Sequence, residues 1–253
     1  FFSLFSWAQH GKLRAFDERF EEYFRDAKRR GDRYLEATLV RYGSLSYLAH
    51  DRPEFAKTEI NRVIWATAKG TFHLQHFYEL EAFCQIALYE GRSKDALVDH
   101  AQAFHRLEHS LLKRMQIIRS FTNWLKARLL VAAALIEGEN SVEHLRVARK
   151  LCKKLEKEKV VTYPKVFAAC VRSAISFQND NKENAIEELR HAIQLGEKNQ
   201  LLFHLNGAKY RLGNLLGEDT EEGKALLAEA LKYCEEEGVV DPPRMFNVVI
   251  PGF

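Results

Sequence analysis

The sequence predicts an all-α fold: a right-handed α-solenoid of about six antiparallel helix pairs, with an apolar cap at the C-terminal end. Three observations favour it. Leu, Ala, Glu, Lys and Arg dominate the composition, and only 5 Pro and 13 Gly interrupt them. Short turns recur at a nearly constant spacing, and apolar positions recur with them. We expect residues 1–253 to form a single helical-repeat domain.

Short polar or glycine-containing turns divide the chain into similar units. The turn positions are Gly11, Asp51, Gly91, Gly138, Asp180 and Glu218, at spacings of 38 to 47 residues. Such a period is typical of repeat proteins, in which each unit is one helix pair. The pairs cover residues 1–31, 32–70, 71–110, 111–159, 160–199 and 200–238, with a tail over 239–253.

Two apolar columns recur in the first helix of each pair. The first column lies seventeen residues before the last five turns and consists of Tyr34, Leu74, Phe121, Tyr163 and Leu201. The second column lies three residues before the same turns and consists of Leu48, Leu88, Leu135, Phe177 and Leu215. Fourteen residues at about 100° each return to nearly the same helix face, so both columns belong to one buried stripe.

The second helix of each pair has a small residue followed four positions later by a large one, as in a tetratricopeptide hairpin. The examples are Ala56, Ile60 and Val63 in the second pair and Ala185, Leu189 and Ala192 in the fifth. The alanine allows the two helices to approach closely, and the larger residues pack on the next unit. The repeats are therefore predicted to be tetratricopeptide-like.

Start and stop signals mark the helices in order along the chain. Start signals are Pro53, Ser93, Asn140 and Asp219, and the stop signals are Gly31, Gly70 and Gly238. The fourth pair is the longest, because Ser110 to Ile136 is predicted to be one extended helix. Pro242 and Pro243 are predicted to end the last regular helix.

The tail carries an apolar patch of five residues, Met245, Phe246, Val248, Val249 and Ile250. Since an open stack leaves apolar surface at its ends, we expect this patch to cap the stack. The alternative is a peptide that docks on a partner.

Charge, cysteine content and hydropathy argue against several classes of protein, including nucleic-acid-binding and membrane-spanning proteins. The chain has 38 basic and 35 acidic residues, a balance that argues against extensive nucleic-acid binding. The longest apolar run, Leu129 to Ile136, is far shorter than the roughly 20 residues of a membrane span. Cys84, Cys152, Cys170 and Cys234 form no C-x-x-C pair and are predicted to be buried thiols of a reducing cytoplasm. The chain opens without Met, so we expect a segment of a longer protein.

The stretch HRLEH, residues 105 to 109, matches the inverted zinc-peptidase signature. His105 and Glu108 would then be ligand and base, with His109 the second ligand. On a helix whose buried side centres on Phe104, however, the two histidines lie about 100° and 140° away and point outward. Leu97, Ala101, Leu107 and Leu111 fall on the buried side. We therefore predict solvated surface histidines and no metal site.

A second histidine pair, His73 and His76, has Glu79 nearby and is predicted to be partly buried against the neighbouring helix pair, with a ligand or peptide contact as the alternative. Neither arrangement implies catalysis.

Residues 146–159 carry seven basic and two acidic side chains, and residues 218–237 are acidic. The basic positions considered for nucleic acid are Arg146, Arg149, Lys150, Lys153 and Lys154. No aromatic residue lies among them to stack on bases, and Leu151 and Leu155 indicate an ordinary amphipathic helix. A solvated face is the preferred interpretation, ahead of an acidic protein surface or nucleic acid.

The sequence has no P-loop pattern, no G-x-G-x-x-G, no G-x-S-x-G and no H-R-D. We therefore expect a non-enzymatic scaffold without cofactor, whose first helices line a concave surface for protein contact. Arg41, Glu81 and Arg128, each ten residues before a turn, are the candidate residues of that surface.

Three stretches resemble the C-terminal repeat arm of large bacterial signalling proteins that combine a serine/threonine kinase domain with a P-loop ATPase module. They are GTFHLQHFYELEAFCQIALYEGR, SLLKRMQIIRSFTNWLKARLLVAAAL and AKYRLGNLLGEDTEEGKALLAEALKYCEEEGVVDPPRMFNVVIPGF. The resemblance implies a cytoplasmic regulatory arm that binds a protein partner or the upstream ATPase and kinase domains. It carries over no catalytic residue. The helical-repeat domain of a transcriptional regulator is the alternative.

Overall fold

A computed structural model describes residues 2–63, 65, 71–136, 138 and 141–253. Within these ranges the chain is all-α: fifteen α-helices, one short 3-10 helix over Leu111–Arg114, and no strand. The helices are α1 (Phe2–His10), α2 (Leu13–Arg30), α3 (Arg33–Tyr42), α4 (Ser44–Ala49), α5 (Pro53–Arg62), α6 (Leu74–Tyr89), α7 (Ser93–Asp99), α8 (Ala101–Glu108), α9 (Gln116–Ala134), α10 (Ser141–Glu156), α11 (Tyr163–Gln178), α12 (Lys182–Asn199), α13 (Leu202–Leu216), α14 (Glu221–Glu237) and α15 (Pro242–Val249).

Neighbouring helices pack in pairs, and the pairs stack. From α9 to α14 each helix packs on the next one along the chain. A second set of contacts joins helices of adjacent pairs, α3 to α6, α6 to α9, α9 to α11 and α11 to α13. We call these five helices the first-helix layer. The predicted all-α class with adjacent helix pairs is confirmed.

The repeated apolar positions form much of the core. In the two columns of the first helices all members are buried or half-buried except Tyr34 and Leu135, which are 41% and 49% exposed. Tyr34 lies in the first turn of α3 with its ring edge against Trp65, and Leu135 lies just beyond the end of α9. The small residues of the second helices, including Ala56 and Ala185, are fully buried as predicted.

Three predicted helices are broken, and the first of these breaks lies at Gly43, between α3 and α4. The extended helix predicted for Ser110 to Ile136 is wrong, because Ser110 and Met115 adopt extended backbone on either side of the 3-10 helix. Leu111, predicted to be buried, is consequently 72% exposed. Ala101 is exposed as well, since the preceding helix is interrupted at His100.

The first and last helix pairs contact each other directly. The Tyr233 hydroxyl on α14 donates to the Gly11 carbonyl at 2.7 Å, and the Arg14 amide donates to Glu237 at 2.9 Å. Gly11 has φ +75°, and a Cβ there would lie 2.5 Å from the Phe203 backbone nitrogen on α13. Because α1 packs on α13 and α2 on α14, the stack closes on itself.

The C-terminal tail lies against the first-helix layer. Pro242 and Pro243 begin α15, which Asp241 caps, so the prediction that they end a helix is wrong; α14 ends earlier, at left-handed Gly238. The five apolar tail residues are buried as predicted. Their position is different, however, because α15 packs on α6 and α13 instead of covering an end of the stack.

The four cysteines are buried and form no disulfide, in agreement with the predicted buried thiols. Burial raises the pKa of Cys152 and of Cys234 to about 12. Across the described ranges, no helix has both the length and the apolar composition needed to cross a bilayer. Asn140 and Gly70, predicted helix boundaries, lie outside the described residues.

Candidate interaction site

The three residues predicted to form an interaction surface lie on consecutive helices of the first-helix layer. Arg41 is on α3, Glu81 on α6 and Arg128 on α9, and they are 4%, 6% and 0% exposed. Arg41 and Glu81 line one small cavity. Arg128 is close enough to Glu81 to affect its pKa. All three are therefore interior groups in this conformation, and their contact with a partner stays a prediction.

Arg128 anchors the tail. Its Nη1 donates to the Val248 carbonyl, and its guanidinium lies 3.5 Å from the centre of the Trp124 ring. Nε and Nη2 have no hydrogen-bond partner within the described structure. Burial lowers the pKa of Arg128 to about 9, against the opposing effect of Glu81. A buried cation is thus satisfied in part by the carbonyl of the tail and by an aromatic face.

Two further side chains bind tail carbonyls. Arg211 on α13 donates from Nε to the Ile250 carbonyl at 3.0 Å. Gln178 at the end of α11 donates to the Gly252 carbonyl at 3.0 Å. Together with Val248, these are the carbonyls of alternate residues, each bound by a different helix. Sequence reasoning missed Arg211 and Gln178, because no periodic pattern marks either residue as a tail contact.

Arg244 holds the start of α15. Its Nη1 lies 2.7 Å from Asp51 Oδ1, and its guanidinium stacks 4.2 Å above the Tyr89 ring. The Tyr89 hydroxyl donates to the same carboxylate at 2.8 Å. Burial, followed by the hydrogen bond and charge of Asp51, raises the pKa of Tyr89. Asp51, a predicted turn residue, thereby connects the second pair with the tail.

Arg41 forms its polar contacts with side chains of α6. Its guanidinium donates to Gln75 at 2.9 Å and pairs with Glu79. Gln75 also donates to the Tyr34 carbonyl at 3.1 Å and to Thr38. Burial lowers the pKa of Arg41, while Glu79 opposes this effect. The Arg41 charge is therefore used to join α3 to α6.

His204 lies beside the Arg128 site. Its ring is stacked on Phe167 and tilted against Trp124, with 4.9 Å between centroids in each case. Among the described residues neither ring nitrogen has a hydrogen-bond partner. Burial, with a smaller contribution from Arg128, lowers the pKa of His204 to about 3. The imidazole is therefore neutral and acts as an aromatic packing element.

The inverted zinc signature lies on the surface. His105 and His109 are exposed as predicted, with ring centroids 4.4 Å apart, and His109 Nδ1 lies 2.8 Å from the His105 carbonyl. Glu108 accepts from Lys113 at 2.9 Å. Within the described ranges, no group of three or more His, Cys, Asp or Glu side chains is placed to hold a metal ion.

The second histidine pair caps a helix. His73 precedes α6 and accepts from the Gln75 amide, while His76 accepts from the His73 amide at 2.9 Å. The rings pack on Trp65. The predicted partial burial is confirmed. Both imidazoles are used to complete the N-terminus of α6.

The basic run on α10 is an amphipathic face. Leu151 and Leu155 are buried, as the sequence predicts. All seven basic residues of the run are exposed: Arg146, Arg149, Lys150, Lys153, Lys154, Lys157 and Lys159. Arg146 forms an ion pair with Glu143 one turn earlier.

No protein-family model matches the chain, and neither does a curated protein or a solved structure.

Proposed function

We propose that this chain is a non-catalytic protein-interaction and regulatory segment, a right-handed tetratricopeptide-like superhelix of about six helix pairs whose first-helix layer binds an extended peptide. The supporting observation is the set of hydrogen bonds that the first-helix layer donates to the chain's own C-terminal tail. Arg128, Gln178 and Arg211 reach alternate backbone carbonyls from three helices. Backbone carbonyls are present in every peptide, so these donors suit any extended segment of compatible shape.

The tail would then be a built-in occupant that a partner replaces. Its buried apolar residues and carbonyl contacts give the occupied state its stability. To shift such an equilibrium from 1:99 to 99:1, a partner must favour one state by about 5.5 kcal/mol. A standard interface of about 1,600 Å² is large enough to supply that difference. Arg41, Glu81 and Arg128 are the proposed contact residues of the first-helix layer.

The larger protein that we propose is a bacterial serine/threonine kinase with a P-loop ATPase module, of which this chain is the cytoplasmic regulatory arm. Three stretches of sequence support it by resemblance alone. Reading the coding sequence upstream of Phe1 tests it. A P-loop and a kinase H-R-D loop there would support the proposal, whereas a DNA-binding domain would favour a transcriptional regulator.

A peptide competition experiment tests the interaction function. A fluorescent peptide of sequence VVDPPRMFNVVIPGF is titrated into the complete chain while its anisotropy is followed. Arg244→Ala weakens the hold on the chain's own tail but keeps the three carbonyl donors. We expect this variant to bind the peptide about fivefold more tightly than the wild type, as for loss of one partly exposed ion pair.

Arg149→Ala, which removes an exposed arginine from α10, is the matched control and should bind like the wild type. A peptide of the same composition in scrambled order controls for nonspecific hydrophobic binding. Equal binding by both arginine variants, or equal binding of both peptides, would contradict a peptide-binding first-helix layer.

A further inference from the structure

A cavity of about 580 Å³ lies where α3, α6 and α9 meet. Its wall is mostly apolar and includes Leu35, Leu74, Phe77, Ile118 and Phe121. No residue of the C-terminal tail is among the described lining residues. The volume falls in the range of about 300 to 1,000 Å³ that is typical of small-molecule sites. The cavity is therefore separate from the carbonyl-binding residues of the proposed peptide site.

One carboxylate in this apolar wall is nearly inaccessible to water. Glu81 is 6% exposed and lines the cavity from the middle of α6. In the described part of the chain, nothing donates a hydrogen bond to its carboxylate. An isolated buried carboxylate is costly unless a cation or a donor compensates it. A cation placed beside Glu81 would therefore stabilise its charged form.

The two nearby arginines, Arg41 and Arg128, are engaged with other partners and are not paired with Glu81. Arg41 is engaged with Gln75 and Glu79, and Arg128 with the Val248 carbonyl and the Trp124 ring. Neither forms an ion pair with Glu81 within the described structure. A positively charged ligand could therefore form an ion pair with the Glu81 carboxylate.

The charged side chains of the cavity wall favour a ligand of positive charge. The described lining residues include two acidic side chains, Glu81 and Asp32, and no Lys, Arg or His. Asp32 is exposed, and Met115 and Tyr34 beside it are partly exposed. The cavity therefore has an acidic rim that attracts cations and a buried carboxylate that can pair with one. The formal charges of the described lining side chains are negative, which disfavours an organic anion.

We propose that this cavity binds a small organic amine with an apolar body, whose ammonium group pairs with Glu81 while the body packs against the aliphatic and aromatic wall. Burial of the apolar body supplies affinity, and the ammonium–carboxylate pair supplies discrimination in favour of cations. A neutral analogue fills the same space but leaves the carboxylate unpaired.

Calorimetric titration of the complete chain tests this proposal with three probes of one shape: 4-phenylbutylamine, 4-phenylbutanol and 4-phenylbutyrate. We expect saturable binding of the amine, with the alcohol at least about tenfold weaker and the carboxylate weaker still. Glu81→Gln preserves the shape and removes the charge. It should weaken amine binding at least about tenfold and bring amine and alcohol to similar affinity.

Two further variants make the result specific. Glu236→Gln changes an exposed carboxylate on α14 and should leave amine binding unchanged. Leu74→Trp adds volume to the wall and should abolish it, which keeps the test valid even if Glu81→Gln does not fold. The proposal is overturned if amine and alcohol bind equally, if either cavity variant binds like the wild type, or if no saturation occurs up to about 10 mM amine.

Discussion

Arg128 and Val248 are 120 residues apart in sequence, yet the buried Arg128 guanidinium donates to the Val248 carbonyl. This contact joins the middle of the first-helix layer to the C-terminal tail. Arg211 and Gln178 repeat it at the next alternate carbonyls. The tail is therefore part of the core of the structure. Under the proposed function, the residues that hold it would also hold a competing peptide.

Replacement of Arg128 measures the strength of this contact. Arg128→Ala removes a charge-assisted hydrogen bond, the stacking on Trp124 and the packing of a large buried side chain. We expect the free energy of unfolding to fall by about 3 kcal/mol, measured by urea denaturation. Arg149→Ala, on the exposed face of α10, should change it by less than about 0.5 kcal/mol. A loss at position 128 as small as this control would mean that the tail contact contributes little.

Glu81 gives the protein a distinct pH dependence. Burial raises the pKa of Glu81 from 4.5 to about 7, although the charge of Arg128 opposes this effect. Because the folded state holds the proton more tightly than the unfolded state, this group lowers stability as pH rises from about 4.5 to 7. Glu81→Gln should therefore gain about 2 to 3 kcal/mol relative to the wild type between pH 5 and pH 8.

Denaturation of the two proteins at both pH values gives that difference. Glu236→Gln, at an exposed position, serves as the comparison and should follow the wild type. A Glu81→Gln variant whose stability parallels the wild type at every pH would mean that Glu81 has an ordinary pKa.

His204 acts in the opposite direction. Its pKa is lowered to about 3 in the folded state, so the unfolded state binds more protons between about pH 3 and 6.5, and stability falls as pH decreases through that window. His204→Phe keeps an aromatic ring packed against Trp124 and Phe167 and removes the titrating group. Between pH 7 and pH 5 the wild type should lose about 2 kcal/mol more than this variant. Equal losses would show that His204 titrates normally and is accessible to water.

The HRLEH stretch should behave as ordinary surface. Its Glu108 is paired with Lys113, and both histidines are exposed. We expect purified protein to contain no stoichiometric zinc, and His105→Ala to change the free energy of unfolding by less than about 0.5 kcal/mol. Elemental analysis and thermal denaturation provide these measurements. Bound zinc that is lost in the variant would instead indicate that HRLEH is a metal site, as in a zinc-dependent hydrolase.

The sequence predicted the features that repeat. Amphipathic helices must bury one face, so positions such as Phe121 and Ala185 recur at helical spacing and could be recognised without coordinates. The burial of the tail was predictable for the same reason. Helix breaks at His100 and Ser110 were not, because nothing in the local apolar pattern distinguishes them from continuous helix.

Contacts between distant parts of the chain were also unpredictable. The bond between Tyr233 and Gly11 spans 222 residues and has no periodic signal. Arg128 was identified as a candidate from its place before a turn, but an open concave surface was expected there. Because the path of the tail cannot be derived from periodicity, no feature of the sequence marks Arg211 or Gln178 as its partners.

Native-state hydrogen exchange of the tail amides tests the central claim most directly, since that claim is that the tail occupies the first-helix layer as a stable part of the structure. The amides of Met245 and Ile250 donate within α15, which is buried against α6 and α13. We predict that they exchange more slowly than in an unfolded peptide by a factor on the order of 10⁴ or more in the complete chain, and faster in Arg128→Ala. Exchange at the rate of an unfolded peptide would contradict the account.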